Sequence, residues 1–142
     1  MAATTGGAIK AHLEAAGLGI RVYRDGPAPG TALPYIAVTE GISLVPSVAA
    51  RGDVGDQAAD IAVVEQVQVD IIQQARTVAG QNAERYDLPA AVYRALDGAR
   101  LTAHPTHVYG SRVLSMGRDA IVDNVVRHIL MVQLDRDLLP AT

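Results

Sequence analysis

The stretch that most constrains the fold of this chain is VEQVQVDIIQQ, residues 64–74, in which apolar and polar residues alternate. Val67, Val69 and Ile71 project to one side of an extended backbone, whereas Gln68 and Asp70 project to the other. A period of two over this length is typical of a β-strand with one buried face. The chain is therefore predicted to be organised around a sheet.

Five further runs are predicted to be strands. They are IRVYR (20–24), YIAVTE (35–40), LTA (101–103), HVYGSRVLSM (107–116) and VVRHILMVQLDRD (125–137). The first two are expected to pair as a splayed hairpin across a connection rich in Pro and Gly. In the last run, residues 129–132 are apolar on both faces, which is typical of a central strand covered on each side.

Two segments have the apolar spacing of helices. The first runs from Ala8 to Ala16, and Gly17 offers a left-handed stop. The second, YDLPAAVYRALDG, places its apolar residues on one stripe: Leu88, Val92 and Leu96. Asp87 is expected to cap its start and Gly98 to end it.

The order of elements predicts an α+β fold, with a single mostly antiparallel sheet and two helices packed on one face. The 142 residues, 1–142, are expected to form a single domain. The segment PSVAARGDVGDQAAD, about 46–60, has no regular period and is rich in Ala, Gly and Asp. It is predicted to be a long exposed loop.

Composition excludes several classes of protein. The chain has no Cys, Phe or Trp, so disulfides and Cys-ligated zinc are excluded and the core must be aliphatic. A net charge of −3 argues against broad binding to nucleic-acid phosphates. The sequence shows no secretory leader and no membrane-spanning apolar run, so the protein is expected to be soluble and intracellular where it is made.

His104 and His107, in the segment HPTH, are the best candidates for metal ligands. Two histidines at this spacing supply two ligands, whereas a zinc site needs at least one more, and the sequence contains no HExxH motif. A polar turn between strands is the competing interpretation. No nucleophile elbow, phosphate-binding glycine motif or calcium loop occurs. No catalytic residue, cofactor or metal site is therefore predicted.

Four segments in order, VYRDGPAPGTALPYIAV, VQVDI, LPAAVYRALDG and VRHILMVQLD, resemble the tail-terminator (tail completion) proteins of long-tailed bacteriophages. The resemblance spans nearly the whole chain. Its most specific element is the tyrosine-containing strand that leads through a Pro/Gly connection into LPY. It implies a fold similar to that of phage tail-tube proteins, and a homohexameric ring that caps the tail tube, stops its polymerisation and offers a joining surface to the head connector.

The resemblance also implies partners and a location. The partners are further copies of the chain, the tail-tube protein and a head–tail connector or neck protein, while phage DNA passes through the ring without specific binding and no membrane is involved. The location is the virion tail or neck, assembled in the cytoplasm of the host bacterium. Interface contacts are predicted for Arg51, Asp53, Asp56 and Arg118.

Three alternatives stay open at this point. One is another neck protein, either a head-closure or a tail-joining subunit. The second is a small metal-dependent enzyme that uses His104 and His107. The third is a binding domain with no connection to a phage.

Overall fold

Two helices and five strands make up the part of the chain that the computed structural model describes, residues 4–27, 29–46 and 62–138. The helices are α1 (Thr5–Ala15) and α2 (Asp87–Leu96). The strands are β1 (Arg21–Arg24), β2 (Tyr35–Pro46), β3 (Ala62–Gln74), β4 (Val108–Arg118) and β5 (Val125–Asp137). The predicted loop at 46–60 begins on the last residue of β2, and its other residues lie outside the described ones.

The strands form one sheet in the order β1-β2-β3-β5-β4. All 13 residues of β3 have a partner on β5, from Ala62 opposite Asp137 to Gln74 opposite Val125. β3 is also antiparallel to β2, and β4 is antiparallel to β5. The alternating segment is a strand, as its pattern predicted, and it lies at the centre of the sheet.

The predicted hairpin between the first two strands is wrong. β1 and β2 run parallel, with Arg21 opposite Tyr35 and Arg24 opposite Val38. The chain returns between them through residues 25–34, where Asp25, Gly26 and Gly30 have φ values of 61°, 94° and 83°. These left-handed conformations let the chain change direction more than once, which a tight hairpin turn does not require. The Pro/Gly connection is therefore a crossover, and the sheet is mixed.

Both helices pack on the same face of the sheet. α2 presents Leu88, Val92 and Leu96 to that face, and all three are buried, as the stripe predicted. They join one aliphatic core whose other members come from α1, all five strands and the segment between α2 and β4. Its largest fully buried aliphatic side chains are Ile9, Leu13, Ile36, Ile71, Leu88, Leu96, Leu130 and Leu134. The predicted α+β class, with one sheet and two helices on one face, is confirmed.

The start of α1 is held by two acceptors. The Thr4 hydroxyl accepts a hydrogen bond from the Gly7 N–H at 3.1 Å, and Oε1 of Glu40 accepts one from the Gly6 N–H at 2.7 Å. A Cβ on Gly6 would lie 2.3 Å from the Glu40 side chain, so only glycine lets that carboxylate approach the helix. The helix ends before Gly17, which has a φ of 71°, as predicted.

The end of α2 fits its prediction and the start does not. Gly98 has a φ of 74° just beyond the helix. Asp87 is the first helical residue and Tyr86 precedes it as the cap, because the Asp87 carboxylate pairs with Arg85 at 3.0 Å instead of with the helix backbone. Neither α1 nor α2, the helices of the described ranges, has the length and apolar character needed to cross a membrane.

Two other expectations are corrected. Residues 101–103, LTA, form a turn and not a strand, and Leu101 is buried there as part of the core. Ile129 and Met131 of β5 are only half-buried, because neither described helix packs on the second face of the sheet. β5 is therefore covered on one face and partly open on the other.

Replacing Leu130 with Ala tests the assigned core. Leu130 is 0% exposed, so removal of its methyl groups leaves a cavity and should lower the free energy of unfolding by about 2–5 kcal/mol. The matched control is Val78→Ala at a fully exposed position, which should change it by less than about 0.5 kcal/mol. Urea denaturation measures both, and equal losses in the two variants would contradict the core.

Candidate functional site

The edge formed by β4 is covered over only part of its length. In the turn after α2, the Gly98 N–H donates to the carbonyl of Ser111 at 2.7 Å, and Oδ1 of Asp97 accepts from the N–H of Val113 at 3.0 Å. From Leu114 to Arg118 the main chain makes no such outward hydrogen bond to any described residue. This uncovered segment leaves backbone donors and acceptors available to another strand.

The opposite edge of the sheet is stepped. β1 covers only residues Tyr35–Val38 of the 12-residue strand β2. Beyond the last residue pair of β1 and β2, Asp25 crosses the edge of β2. Its N–H donates to the Val38 carbonyl at 2.7 Å, and its carboxylate accepts from the Glu40 N–H at 3.3 Å. No residue in the described part of the chain pairs with the outer side of β1, which is a second free edge at this end of the sheet.

Exposed apolar side chains lie along the uncovered segment of β4 and the turn that follows it. They are Leu114, Met116, Ile121 and Val122, which are 46–66% exposed and which we call the apolar edge patch. A cluster of large apolar side chains beside a free strand edge is typical of a surface that binds another protein.

β4 carries two irregularities. Its register against β5 shifts between Val108 and Gly110 and again between Val113 and Ser115. Each shift is a β-bulge, a device that bends an edge strand and discourages pairing with unrelated strands. The second bulge lies where the cover from the α2 turn stops, so it separates the covered and free parts of the edge.

A buried ion cluster anchors the free part of β4. Arg118 donates two hydrogen bonds to the Glu84 carboxylate, at 2.8 and 2.9 Å, and Nε2 of His128 lies 2.8 Å from the same group. The Glu84 side chain is 2% exposed. The Arg118 guanidinium is the main reason that the pKa of Glu84 lies below its usual range; burial opposes this and His128 adds to it.

A polar cleft of about 430 Å³ lies at the start of α1. The N–H of Thr106 donates to Nδ1 of His104 at 3.0 Å, and Nε2 of His104 lies 2.7 Å from the Thr5 hydroxyl. The Thr5 hydroxyl donates to Glu65 at 2.5 Å, and Glu65 also accepts from Nε of Arg136 at 2.8 Å. Burial of the imidazole lowers the pKa of His104, which suits a neutral ring in this chain of hydrogen bonds.

The two candidate metal ligands do not act together in this arrangement. Both ring nitrogens of His104 are hydrogen-bonded within the chain, while His107 is exposed and its ring packs edge-on against Tyr109 at 4.6 Å. Across residues 4–27, 29–46 and 62–138, no group of three or more His, Asp or Glu side chains is placed to hold a metal ion.

The four predicted interface residues fall into two groups. Arg51, Asp53 and Asp56 lie outside the described residues. Arg118 lies at the end of the free segment of β4, where its guanidinium holds Glu84 and is 41% exposed. Its contact with a neighbouring subunit stays a prediction.

Sequence reasoning overlooked Glu84 and the apolar edge patch. Glu84 lies in a segment with no regular period, and its partners Arg118 and His128 are 34 and 44 residues away. The signal for the patch was present, because Leu114, Met116, Ile121 and Val122 are large apolar residues at a predicted strand end and turn. Which edge of the sheet they occupy depends on the strand order.

The second face of the sheet, away from the helices, is rich in amides. Gln66, Gln68 and Gln133 lie on it, and none of them is charged. At one end of this face, Asp70 and Asp119 share Arg127, at N–O distances of 3.9 and 2.6 Å. The local charge of these three groups is −1. Burial is the main cause of a raised pKa at Asp70.

Comparison with known proteins identifies a solved structure with a similar fold. A chain of the virion of native gene transfer agent (GTA) particle matches this one with a TM-score of 0.70 and 21% sequence identity. The match covers 94% of this chain and 95% of that chain. No protein-family model matches the sequence, and no curated protein matches it. The chain therefore has the fold of a protein found in that virion.

Replacing Glu84 with Gln tests the buried ion cluster. A carboxyl group whose pKa is lowered on folding stabilises the fold above its unfolded pKa of about 4.3, and this contribution is lost as the pH falls through the folded value. Glu84→Gln should therefore be less stable than the wild type at neutral pH and should lose less stability on acidification below about 4.3.

The control is Glu14→Gln, which removes the same charge from an exposed pair with Lys10 and should alter stability little at neutral pH. Urea denaturation over a pH series measures all three proteins. Parallel acid losses in wild type and Glu84→Gln would show that this carboxylate is not held by the cluster.

Proposed function

We propose that this chain is a structural virion protein, the tail terminator of a long-tailed phage or phage-like particle. Six copies form a ring on the end of the completed tail tube, stop its polymerisation and present the joining surface for the head connector. The observation that carries this proposal is the fold shared over nearly the full length of both chains with a protein of the gene transfer agent virion. The order of motifs that resembles tail terminators supports the same role.

The free edges give this role a physical basis. A ring of identical subunits needs two different surfaces on each copy, one that fits the other, so that the assembly closes by rotation. One edge of this sheet carries the free part of β4 with its apolar edge patch, and the other carries β1. A tube stops growing when the terminal subunit binds the tube with one surface and offers a different surface beyond it.

The second face of the sheet suits a channel that DNA crosses. The amides of Gln66, Gln68 and Gln133 carry no charge. The charged side chains of the same face have one excess negative charge, with four acidic and three basic residues: Asp70, Asp119, Asp135 and Asp137, and Arg21, Arg112 and Arg127. A face of this kind lets DNA pass without specific binding, since adhesion to DNA is dominated by Lys and Arg at the phosphates.

Contacts with a neighbouring subunit, the tube or the connector are assigned in this proposal to the predicted interface residues. Arg51, Asp53 and Asp56 come from the segment between β2 and β3, and Arg118 from the free part of β4. The ring belongs to the neck of the virion and assembles in the bacterial cytoplasm. The 142 residues act as one domain in it. A head-closure or tail-joining subunit is the second candidate, because the matching chain belongs to a whole virion.

Deletion of the gene separates the two candidates. Loss of a terminator should leave heads without joined tails and tubes of uncontrolled length, because nothing halts addition at the tube end. Electron microscopy of the lysate measures tube length and joining, and a wild-type copy supplied in trans should restore both. Tails of normal length beside heads that leak DNA would identify a head-closure protein and overturn the terminator assignment.

A further inference from the structure

We propose that neighbouring copies join head to tail, with the outer edge of β1 of one copy pairing antiparallel with Met116–Arg118 in the free part of β4 of the next. The proposal rests on the ring proposed above and names the strands that close it. The occupant of each free edge is then a second copy of this chain.

The register of the sheet places the two free segments at the same height. Tyr23, Ala37, Asp70, Ile129 and Gly117 lie in one row across the five strands, so β1 and the free part of β4 are level on opposite edges. β1 runs parallel to β2 and hence antiparallel to β4. Rotation of a copy about an axis parallel to the strands brings these edges together as an antiparallel pair.

Each edge of the sheet is widened by a short segment of chain, and these two extensions also complement each other. β1 widens one edge at the height of Tyr35–Val38, and Asp25 continues this cover as far as Glu40. The turn at Asp97 and Gly98 widens the other edge only at the height of Ser111–Val113, which is opposite Val132–Leu134 and hence above β1. The two extensions therefore lie mainly at different heights, β1 at Tyr35–Val38 and the Asp97–Gly98 turn beyond it.

Charge supports the same alignment. Arg21 is exposed, and no acidic side chain among the described residues pairs with it. Arg127 lies in the same row across the sheet as Arg21, and its carbonyl accepts a hydrogen bond from the N–H of Asp119 at 2.9 Å. The group of Asp119, Asp70 and Arg127 has one excess negative charge. Pairing of the edges brings Arg21 of one copy beside this excess charge, which favours the correct encounter.

The side chains at the junction fit as well. Gly117 lies in the row of Tyr23, and a Cβ added to it would meet nothing within 4 Å in the single chain. A glycine inside a strand is common where another backbone approaches, and an aromatic ring across an edge glycine is a recognised stabilising pair. The pairing also covers Met116 of the apolar edge patch, which lies in the row of Arg24.

Cysteine crosslinking tests the junction, because the native chain has no Cys. In the doubly substituted Arg21→Cys, Gly117→Cys protein, the two thiols of adjacent copies should lie diagonally across the new strand pair, about 7–8 Å apart. A short bismaleimide should then give a ladder of covalent multimers on denaturing gels. The main-chain hydrogen bonds of the junction do not depend on either side chain.

The controls separate this junction from others. Each single variant should give no ladder. Neither should the Arg21→Cys, Arg100→Cys double variant, whose second thiol directly follows Ala99, the residue whose carbonyl accepts a hydrogen bond from Ser111 in the covered part of β4. A covalent dimer from Gly117→Cys alone would show that two β4 edges meet about a two-fold axis, and would overturn the proposal. An assembled ring that yields no ladder from the Arg21→Cys, Gly117→Cys protein would overturn it too.

A substitution within the apolar edge patch is an independent test of the junction. Met116→Lys should abolish self-association seen by native mass measurement, because it places a charge in the junction. Val78→Lys, at an exposed apolar position away from both edges, should retain it. Both variants should keep the unfolding midpoint of the wild type within a few degrees, since both sites are exposed. Loss of association in both variants, or in neither, would contradict the assigned junction.

Failure of the junction and failure of the terminator role give different results. A closed ring with a subunit number other than six that still yields the ladder supports the junction and contradicts the proposed hexamer. A hexamer without the ladder supports the ring and overturns the junction. A chain that stays monomeric at the highest attainable concentration overturns the junction, while the terminator role is decided by the tube length in the deletion.

Discussion

The uninterrupted ladder between β3 and β5 is the constraint on which the rest of the structure depends. Because every residue of β3 has a partner on β5, the two faces of the sheet are fixed along its whole length. One face takes the aliphatic side chains that α1 and α2 cover, and the other takes the amides and the cluster around Arg127. A shift of one residue in this ladder would exchange the faces and expose the core.

The same ladder fixes the heights of the two edges, and the proposed assembly follows from those heights. β4 is aligned through β5, and β1 is aligned through β2 and β3. The bulge before Ser115, the turn after α2 and the short length of β1 then leave one free segment on each edge at the same level. The ion cluster of Glu84, Arg118 and His128 holds the free segment of β4 to the sheet, so the edge is presented as a formed strand.

Much of the fold could be predicted from local pattern. The remaining parts could not be predicted, because they depend on long-range contacts. The alternation around Val67 and the stripe through Val92 predicted β3 and α2, because the spacing of the apolar residues shows which face of each element is buried. The direction of β1 could not be read from residues 25–34, since Gly and Pro permit both a hairpin and a crossover. The apolar Leu101 predicts a strand at LTA, although a buried turn requires an apolar residue at this position equally well. In the candidate site, the exposed apolar residues of β4 were visible in the sequence, but their place on an edge follows only from the strand order.

The central claim is that this chain forms the ring at the head-proximal end of a tail tube. The most direct measurement is a cryo-electron microscopy map of the intact particle, into which the sheet and its two helices are placed. We expect a single ring of six copies between the tube and the head connector, with the amide-rich face toward the channel and β1 of each copy beside β4 of the next. Copies stacked along the whole tube, or a location at the distal tip, would contradict the account.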